Sequence, residues 1–243
     1  GLNPLRGQNN VQGTSAMGCM PYHYPGYMPV DDPENAAKWE SAWNIEPGGL
    51  NQKRGLTTTE ILSNAHPGGV RSLYIMGENP VLTDPHQHHT IKGLKNLEFL
   101  VVQDIFLTET AKYAHVVLPA ACSFEKEGTF SNTERRVQRV RKAVSPPGEA
   151  HDDLSIIMEL SRSLGYPMDY RSPEQVLEEF GKVWPALAGI TYDRIKSRGI
   201  AWPCPAKDHP GTEFLYKDGF PKGKVPFVPI AFNPPAEAVC ENY

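Results

Sequence analysis

Two short polar stretches in this chain carry residue types suited to holding a nucleotide. Gly77-Glu78-Asn79-Pro80 follows the apolar run 70–76, and Gln103-Asp104 closes the apolar run 97–102. In an open parallel sheet, ligands bind beyond the carboxyl ends of the strands. At such a place Gly77 lets the backbone approach a ligand closely. Asn79 and Gln103 each donate and accept, and Asp104 accepts from a ribose hydroxyl or the amino group of a guanine. Many α/β domains carry loops of this kind with no nucleotide. No G-x-G-x-x-G follows a strand, and there is neither a G-x-x-x-x-G-K-[ST] nor a G-x-S-x-G motif. Any phosphate would therefore rest on main-chain amides and isolated side chains.

Three other groups invite a chemical reading. Arg6 stands in a Gly- and Asn-rich loop, where a guanidinium can grip a small carboxylate through two parallel hydrogen bonds. The competing reading is a solvated surface arginine. His86, His88 and His89 cluster without the spacing of a metal-binding helical pair and without a nearby cysteine, and read as the polar start of a helix. Basic residues at 135, 136, 139, 141 and 142 interleave with other types as on a half-exposed strand. They are either a solvated edge or a phosphate-neutralising surface.

The elements that must position these residues are legible in outline. Strand-like runs at 70–77, 97–102 and 114–119 are separated by a polar loop with a helix from Asp84-Pro85 to Leu94, and by a short helix at 108–113. Strands alternating with helices imply an α/β fold, doubly wound, with a mainly parallel, Rossmann-like sheet flanked by helices. Asp32-Pro33 opens an earlier helix with Trp39 and Trp43 on one face, and 57–65 forms another. Stretches 129–131 and 136–140 form a hairpin. Amphipathic helices run from Asp152 to Leu164, closed by Gly165, and from Ser172-Pro173-Glu174 to Val183. Residues 1–30 show no helical or strand period and read as a long loop, and the Pro/Gly-rich stretch 201–243 as an extension. The expected organisation is a loop at 1–30 of a kind that is often functional, an α/β domain at 31–200 and the extension at 201–243.

The composition narrows the classes of function. The 243 residues are 40% hydrophobic and 21% charged, with 24 Lys+Arg against 28 Asp+Glu, a net charge of −4. This balance argues against nucleic acid and against anionic membrane surfaces. No apolar run is long enough to span a bilayer. Cys19, Cys122, Cys204 and Cys240 form no C-x-x-C pair, so neither a zinc nor an iron–sulfur site is expected within the chain, and no disulfide scaffold. A start without Met and a Pro-rich end read as a piece excised from a longer polypeptide.

Several motifs together resemble a known family. The stretch Gly1-Leu2-Asn3-Pro4-Leu5-Arg6-Gly7-Gln8-Asn9-Asn10 resembles the active-site arginine loop of formate dehydrogenase catalytic subunits. Tyr74-Ile75-Met76-Gly77-Glu78-Asn79-Pro80, Val101-Val102-Gln103-Asp104-Ile105-Phe106 and Glu127-Gly128-Thr129-Phe130-Ser131-Asn132 are similar to its later signatures, and the similarity continues to Trp202-Pro203-Cys204. The resemblance is to the bis-molybdopterin oxidoreductases, narrowed by the Arg6 loop to the formate dehydrogenase branch. It implies that the chain is the second dinucleotide-binding domain, holding one of two molybdopterin guanine dinucleotides around Mo or W, with a [4Fe-4S] cluster in an N-terminal domain outside this chain. Gly77, Glu78, Asn79, Thr83, Gln103, Asp104 and Asp153 fall where the family contacts the cofactor, Gln8 falls beside the metal-side pterin, and Arg6 falls on the arginine that orients formate during oxidation to CO2. The implied partners are the remaining domains of the same subunit, an iron–sulfur electron-transfer subunit and the substrate formate, with no nucleic acid, no direct membrane span and a cytoplasmic location.

Three alternatives stay open at this level: another molybdopterin enzyme of the nitrate reductase or arsenite oxidase kind, a cofactor-free structural relative in a respiratory complex, and a general nucleotide-binding module. The metal-ligating Cys or selenocysteine and adjacent His of the family are not in this chain. The chain alone is accordingly expected to give no turnover in a formate oxidation assay with an artificial acceptor; appreciable activity would contradict the fragment reading.

Overall fold

The computed structural model describes Leu5 and residues 7–220, 223–224 and 226–233. Arg6 and Cys240 lie outside the described residues. The chain divides into two compact units, Gly1–Thr212 and Glu213–Tyr243. Among the described residues the second contains bends and turns and no helix or strand, with Tyr216 and Phe220 in ring contact at 5.1 Å. Every helix and strand described below belongs to the first.

The centre of that unit is a parallel sheet of β3 (Ser72–Met76), β4 (Phe99–Asp104) and β5 (Val116–Pro119) in the order β3-β4-β5. This is the α/β fold with a parallel sheet read from the sequence. One face packs on α3 (Thr58–Ser63), α4 (Pro80–Thr83), α5 (Gln87–Asn96) and the 3-10 turn Ala111–Tyr113. Ile75, Leu100 and Val102 meet Leu62, Val81, Leu94 and Ala111 there. The strands point residues alternately to the two faces, so Tyr74, Met76 and Phe99 stand on the other face, each more than a third exposed. A parallel bridge between Ala120 and His151 continues the sheet by one step and leads straight into α6 (Asp153–Ser163).

A second sheet, β6 (Gly128–Ser131), β7 (Arg136–Val140) and β8 (Ile200–Ala201), is antiparallel. Its first two strands are the expected hairpin; β8, two residues long, has no period to read. Beside it a second core gathers Trp39 of α2 (Pro33–Trp43), Leu177 and Phe180 of α7 (Pro173–Val183), and Val137, Ile195 and Ile200. Trp39 and Trp43 share one face as expected, with ring centroids 4.7 Å apart.

Local chemistry explains several boundaries. Asp32 caps α2 by accepting the Glu34 N–H at 3.0 Å. Thr57 and Glu60 form a reciprocal capping box on α3. Asp152 takes the Ser155 N–H at 3.0 Å at the start of α6. Ser172 precedes α7 but makes no capping hydrogen bond, so that helix begins on the preset φ of Pro173.

Three sequence expectations are corrected. The loop at 1–30 contains α1 (Val11–Ala16) and the two-residue strands β1 (His23–Tyr24) and β2 (Met28–Pro29). No periodicity marks α1 because a tertiary contact orders it: Asn10, at φ 62, accepts the Ser131 N–H of β6 at 2.9 Å. The polar loop after Gly77 closes into α4, started by Pro80. The following helix begins at Gln87 rather than at Asp84-Pro85, and the Asp84 carboxylate instead accepts from Thr90 Oγ1 at 3.1 Å.

Leu100 has no exposed surface. Leu100→Ala is expected to lower the unfolding free energy by about 2–5 kcal/mol, measured by denaturant titration of the full chain.

Candidate functional site

Parallel pairing brings the two polar stretches side by side. Met76 stands opposite Gln103 in the β3–β4 register, and the Gly77 N–H donates to the Gln103 carbonyl at 2.9 Å. Asp104 faces Pro119 of β5, and the Ala120 N–H donates to the Asp104 carbonyl at 3.0 Å. The carboxyl ends of β3 and β4 and the entry to α6 therefore form one edge. Gly77 has φ 66, a conformation costly for other residues, and a Cβ at this position would meet nothing within 4 Å. The backbone there is open on the side a ligand would approach.

Gln103 reaches this edge on the face of the sheet that carries Tyr74, and it is buried there. It has no exposed surface; its carboxamide donates to Asp153 Oδ1 at 2.6 Å and accepts from the Tyr74 hydroxyl. Asp153 Oδ2 forms an ion pair with Lys126 Nζ, with the two side chains 22% and 31% exposed for Lys126 and Asp153 respectively. Burial, and then the Asp153 charge, push the Tyr74 phenol above its ordinary value of 10.0. Because this pKa is raised on folding, the neutral phenol contributes stability below pH 10 that is lost as pH rises through the folded value. Tyr74 and Lys126 are missing from the residues read off the sequence, since a tyrosine inside a strand and a lysine in an irregular segment carry no spacing signal.

Asn79 is fixed with equal care. Its Oδ1 accepts from the Thr110 N–H at 3.1 Å and the Thr110 hydroxyl at 2.7 Å, while its Nδ2 donates to Glu109 Oε2 at 2.7 Å. The Asn79 contact holds the Glu109 carboxyl below its usual range. Thr110 is wholly buried and also receives the Val81 N–H. Thr83 donates to the Asn79 carbonyl at 3.2 Å. Glu78 and Thr83 line a cleft of about 320 Å³ flanking β3, with Ile61, Tyr74 and Met76. Asp104 spends one oxygen on the Phe106 N–H at 3.1 Å and is half-buried.

Gln8 lies on a separate cleft of about 340 Å³, walled by Asn9, Asn10, Gln12, Asn132 and Gln138 with Phe130. This lining is carboxamide-rich and uncharged. Asn10 and Phe130 also line the neighbouring cleft, of about 390 Å³, that contains Lys126 and Asp153. The two clefts thus share a wall at Asn10 and Phe130, and in the second of them Asp153 is tied by Gln103 to the carboxyl end of β4. Arg6, the remaining site residue read from the sequence, falls outside the described residues.

The basic strand is committed internally. Arg136 binds Glu134 and the Gly199 carbonyl, Arg139 pairs with Glu127 and lies over the Tyr192 ring, and Arg141 meets the Lys196 carbonyl. His86 and His89 stack at 5.7 Å at the start of α5. Among the described residues no group of three His, Cys, Asp or Glu is placed to hold a metal ion, and no helix is long and apolar enough to cross a membrane. The donor set fits the organic part of a nucleotide cofactor: neutral carboxamides for a heterocycle, carboxylates for ring N–H groups or ribose, and an open glycine backbone.

Comparison with known proteins gives a consistent picture. Residues 6–163 match the molybdopterin oxidoreductase family. The F420-dependent formate dehydrogenase subunit alpha of Methanocaldococcus jannaschii is 49% identical over the whole of this chain, which spans 36% of that protein. Formate dehydrogenase H of Escherichia coli is 39% identical over the whole chain, which spans 34% of it. The chain thus covers about a third of the length of these relatives. Among solved structures, acetylene hydratase from Pelobacter acetylenicus superposes with a TM-score of 0.50 at 18% identity, over 77% of this chain and 25% of that one, a likeness of fold.

Asn79→Ala removes the acceptor of a buried hydroxyl and N–H on Thr110. It is expected to destabilise the protein by about 1–3 kcal/mol, seen as a lowered denaturation midpoint, and Asn79→Asp, which keeps the acceptor but turns a carboxylate oxygen toward Glu109, is expected to be destabilised as well and to recover when combined with Glu109→Gln.

Proposed function

Because this chain belongs to the molybdopterin oxidoreductase family, we propose that it is the second dinucleotide-binding domain of a formate dehydrogenase catalytic subunit, cradling one of two molybdopterin guanine dinucleotides. The supporting observation is a pair of adjoining clefts that share Asn10 and Phe130, one holding Gln8 and the other Asp153, which Gln103 ties to the carboxyl edge of a parallel sheet beside Gly77. The first cleft is lined by neutral carboxamides and the second carries the Asp153 carboxylate, which suits a ligand with a heterocycle in each. The relatives' names point to formate as the substrate.

In this reading each residue has a distinct task. Asp153 accepts the N–H edge of guanine, and Gln103 acts through it, as the buried strut that fixes its position. Gly77 and the amides near the start of α4 approach the phosphates, where a main-chain approach needs no side chain. Asp104, Glu78, Asn79 and Thr83 bound the nucleotide on the β3 side. Gln8 and the carboxamides around it line the pterin. When bound, the cofactor with its Mo or W accepts the two electrons of formate. Arg6 binds the formate carboxylate through its two forked N–H donors, which orients the substrate and lowers its freedom before reaction. A [4Fe-4S] cluster held by the remainder of the subunit would supply the route for those electrons toward an iron–sulfur partner subunit.

Two outcomes test the reading on the full-length subunit. Denaturing the purified protein is expected to release guanine nucleotide, and Gly77→Val, which places a branched side chain at φ 66 on the open edge, to reduce the amount recovered. Arg6→Lys retains charge but not the fork, and is expected to lower kcat/KM for formate by about 10- to 100-fold through a raised KM. Full guanine content in Gly77→Val, or an unchanged kcat/KM in Arg6→Lys, would count against the corresponding assignment.

A further inference from the structure

Tyr74, Gln103, Asp153 and Lys126 form one chain of polar contacts drawn from β3, β4, the first turn of α6 and the irregular segment before β6. Part of this chain is accounted for by burial. The Gln103 carboxamide has no access to water, so it needs both a donor and an acceptor, and Tyr74 and Asp153 provide them. Lys126 is not required for that purpose. Asp153 already accepts from Gln103 and sits in the first turn of an 11-residue helix, where its charge is favoured.

What Lys126 adds is a second constraint. Gln103 holds Oδ1 and Lys126 holds Oδ2, one donor on each oxygen. Two donors on the two ends fix the plane of the carboxylate, and each oxygen keeps a further lone pair. Asp153 is a third exposed, and it lines the same cleft as Lys126. A carboxylate with its plane fixed and both oxygens still able to accept is matched to two parallel N–H donors on one rigid ring edge. Guanine offers that pair at N1 and N2; adenine does not.

We propose that Lys126 is a positioning residue for guanine specificity, holding Asp153 in the orientation that reads the N1–H/N2–H edge. This rests on the reading of the edge as a guanine dinucleotide site. Lys126 touches Asp153 rather than the base, so a point charge at that oxygen is what matters, and arginine can supply it.

The test is calorimetric titration of the cofactor-free full-length subunit with GDP and, separately, with ADP. Native protein is expected to bind GDP more tightly than ADP. Lys126→Met is expected to reduce that preference by about tenfold with ADP affinity unchanged, and Lys126→Arg to restore most of it. A lysine that served only the fold would weaken both nucleotides together. If Lys126→Met does not fold, Lys126→Gln, which keeps a donor without the charge, is expected to show the same loss of preference. Native preference retained in the Met or Gln variant, or a parallel loss of GDP and ADP binding, would overturn the role of Lys126. Failure of native protein to bind GDP would overturn the guanine-site reading itself, and this inference with it.

Discussion

The edge of the parallel sheet is held together by one buried carboxamide. Gln103 sits at the end of β4 with no exposed surface, yet it reaches Asp153, 50 residues further along the chain, and Tyr74 on the neighbouring strand. The β3–β4 register explains why it can. Met76 opposite Gln103 puts Gly77 one step beyond it, and the Gly77 N–H closes on the Gln103 carbonyl. Main chain and side chain of the same residue therefore join three elements that the sequence keeps far apart. An unsatisfied amide at that depth is costly, so the three elements move as one or the contact is lost.

The electrostatics follow from how few charges remain uncommitted. The arginines of β7, which might have served phosphate, are tied to Glu134, Glu127, the Tyr192 ring and main-chain carbonyls. That anchors the hairpin and leaves Lys126 as the cation lining the Asp153 cleft. In the proposed site, recognition would rest on directed hydrogen bonds from amides and carboxylates, which suits a ligand identified by the pattern of its ring edge. It is also consistent with a chain whose net charge is −4.

Much of this was legible in the residues. Helix ends marked by Asp32, Thr57 and Asp152 and the three apolar runs carry local signals, and local signals survive folding. The strand-end rule singled out Gly77, Asn79, Gln103 and Asp104, and the parallel register sets their stretches side by side. What escaped depends on contacts between distant segments. α1 has no apolar period and is ordered by Asn10 reaching β6. Tyr74 and Lys126 become meaningful only once Gln103 and Asp153 are seen to join. Likewise, Gln103 was legible as a polar strand-end residue, but the pleat sets it on the face of Tyr74 and Phe99, and its burial there depends on contacts with Tyr74 and with Asp153, 50 residues away.

The central claim is that the Asp153 carboxylate, held by Gln103, receives the guanine of a dinucleotide lying along this edge. A structure of the full-length subunit with its cofactor bound tests it directly. The expected result is a guanine ring edge within hydrogen-bonding distance of Asp153 and the phosphates over Gly77. A cofactor whose guanine lies elsewhere, with the Asp153 carboxylate contacting only Gln103 and Lys126, would contradict it.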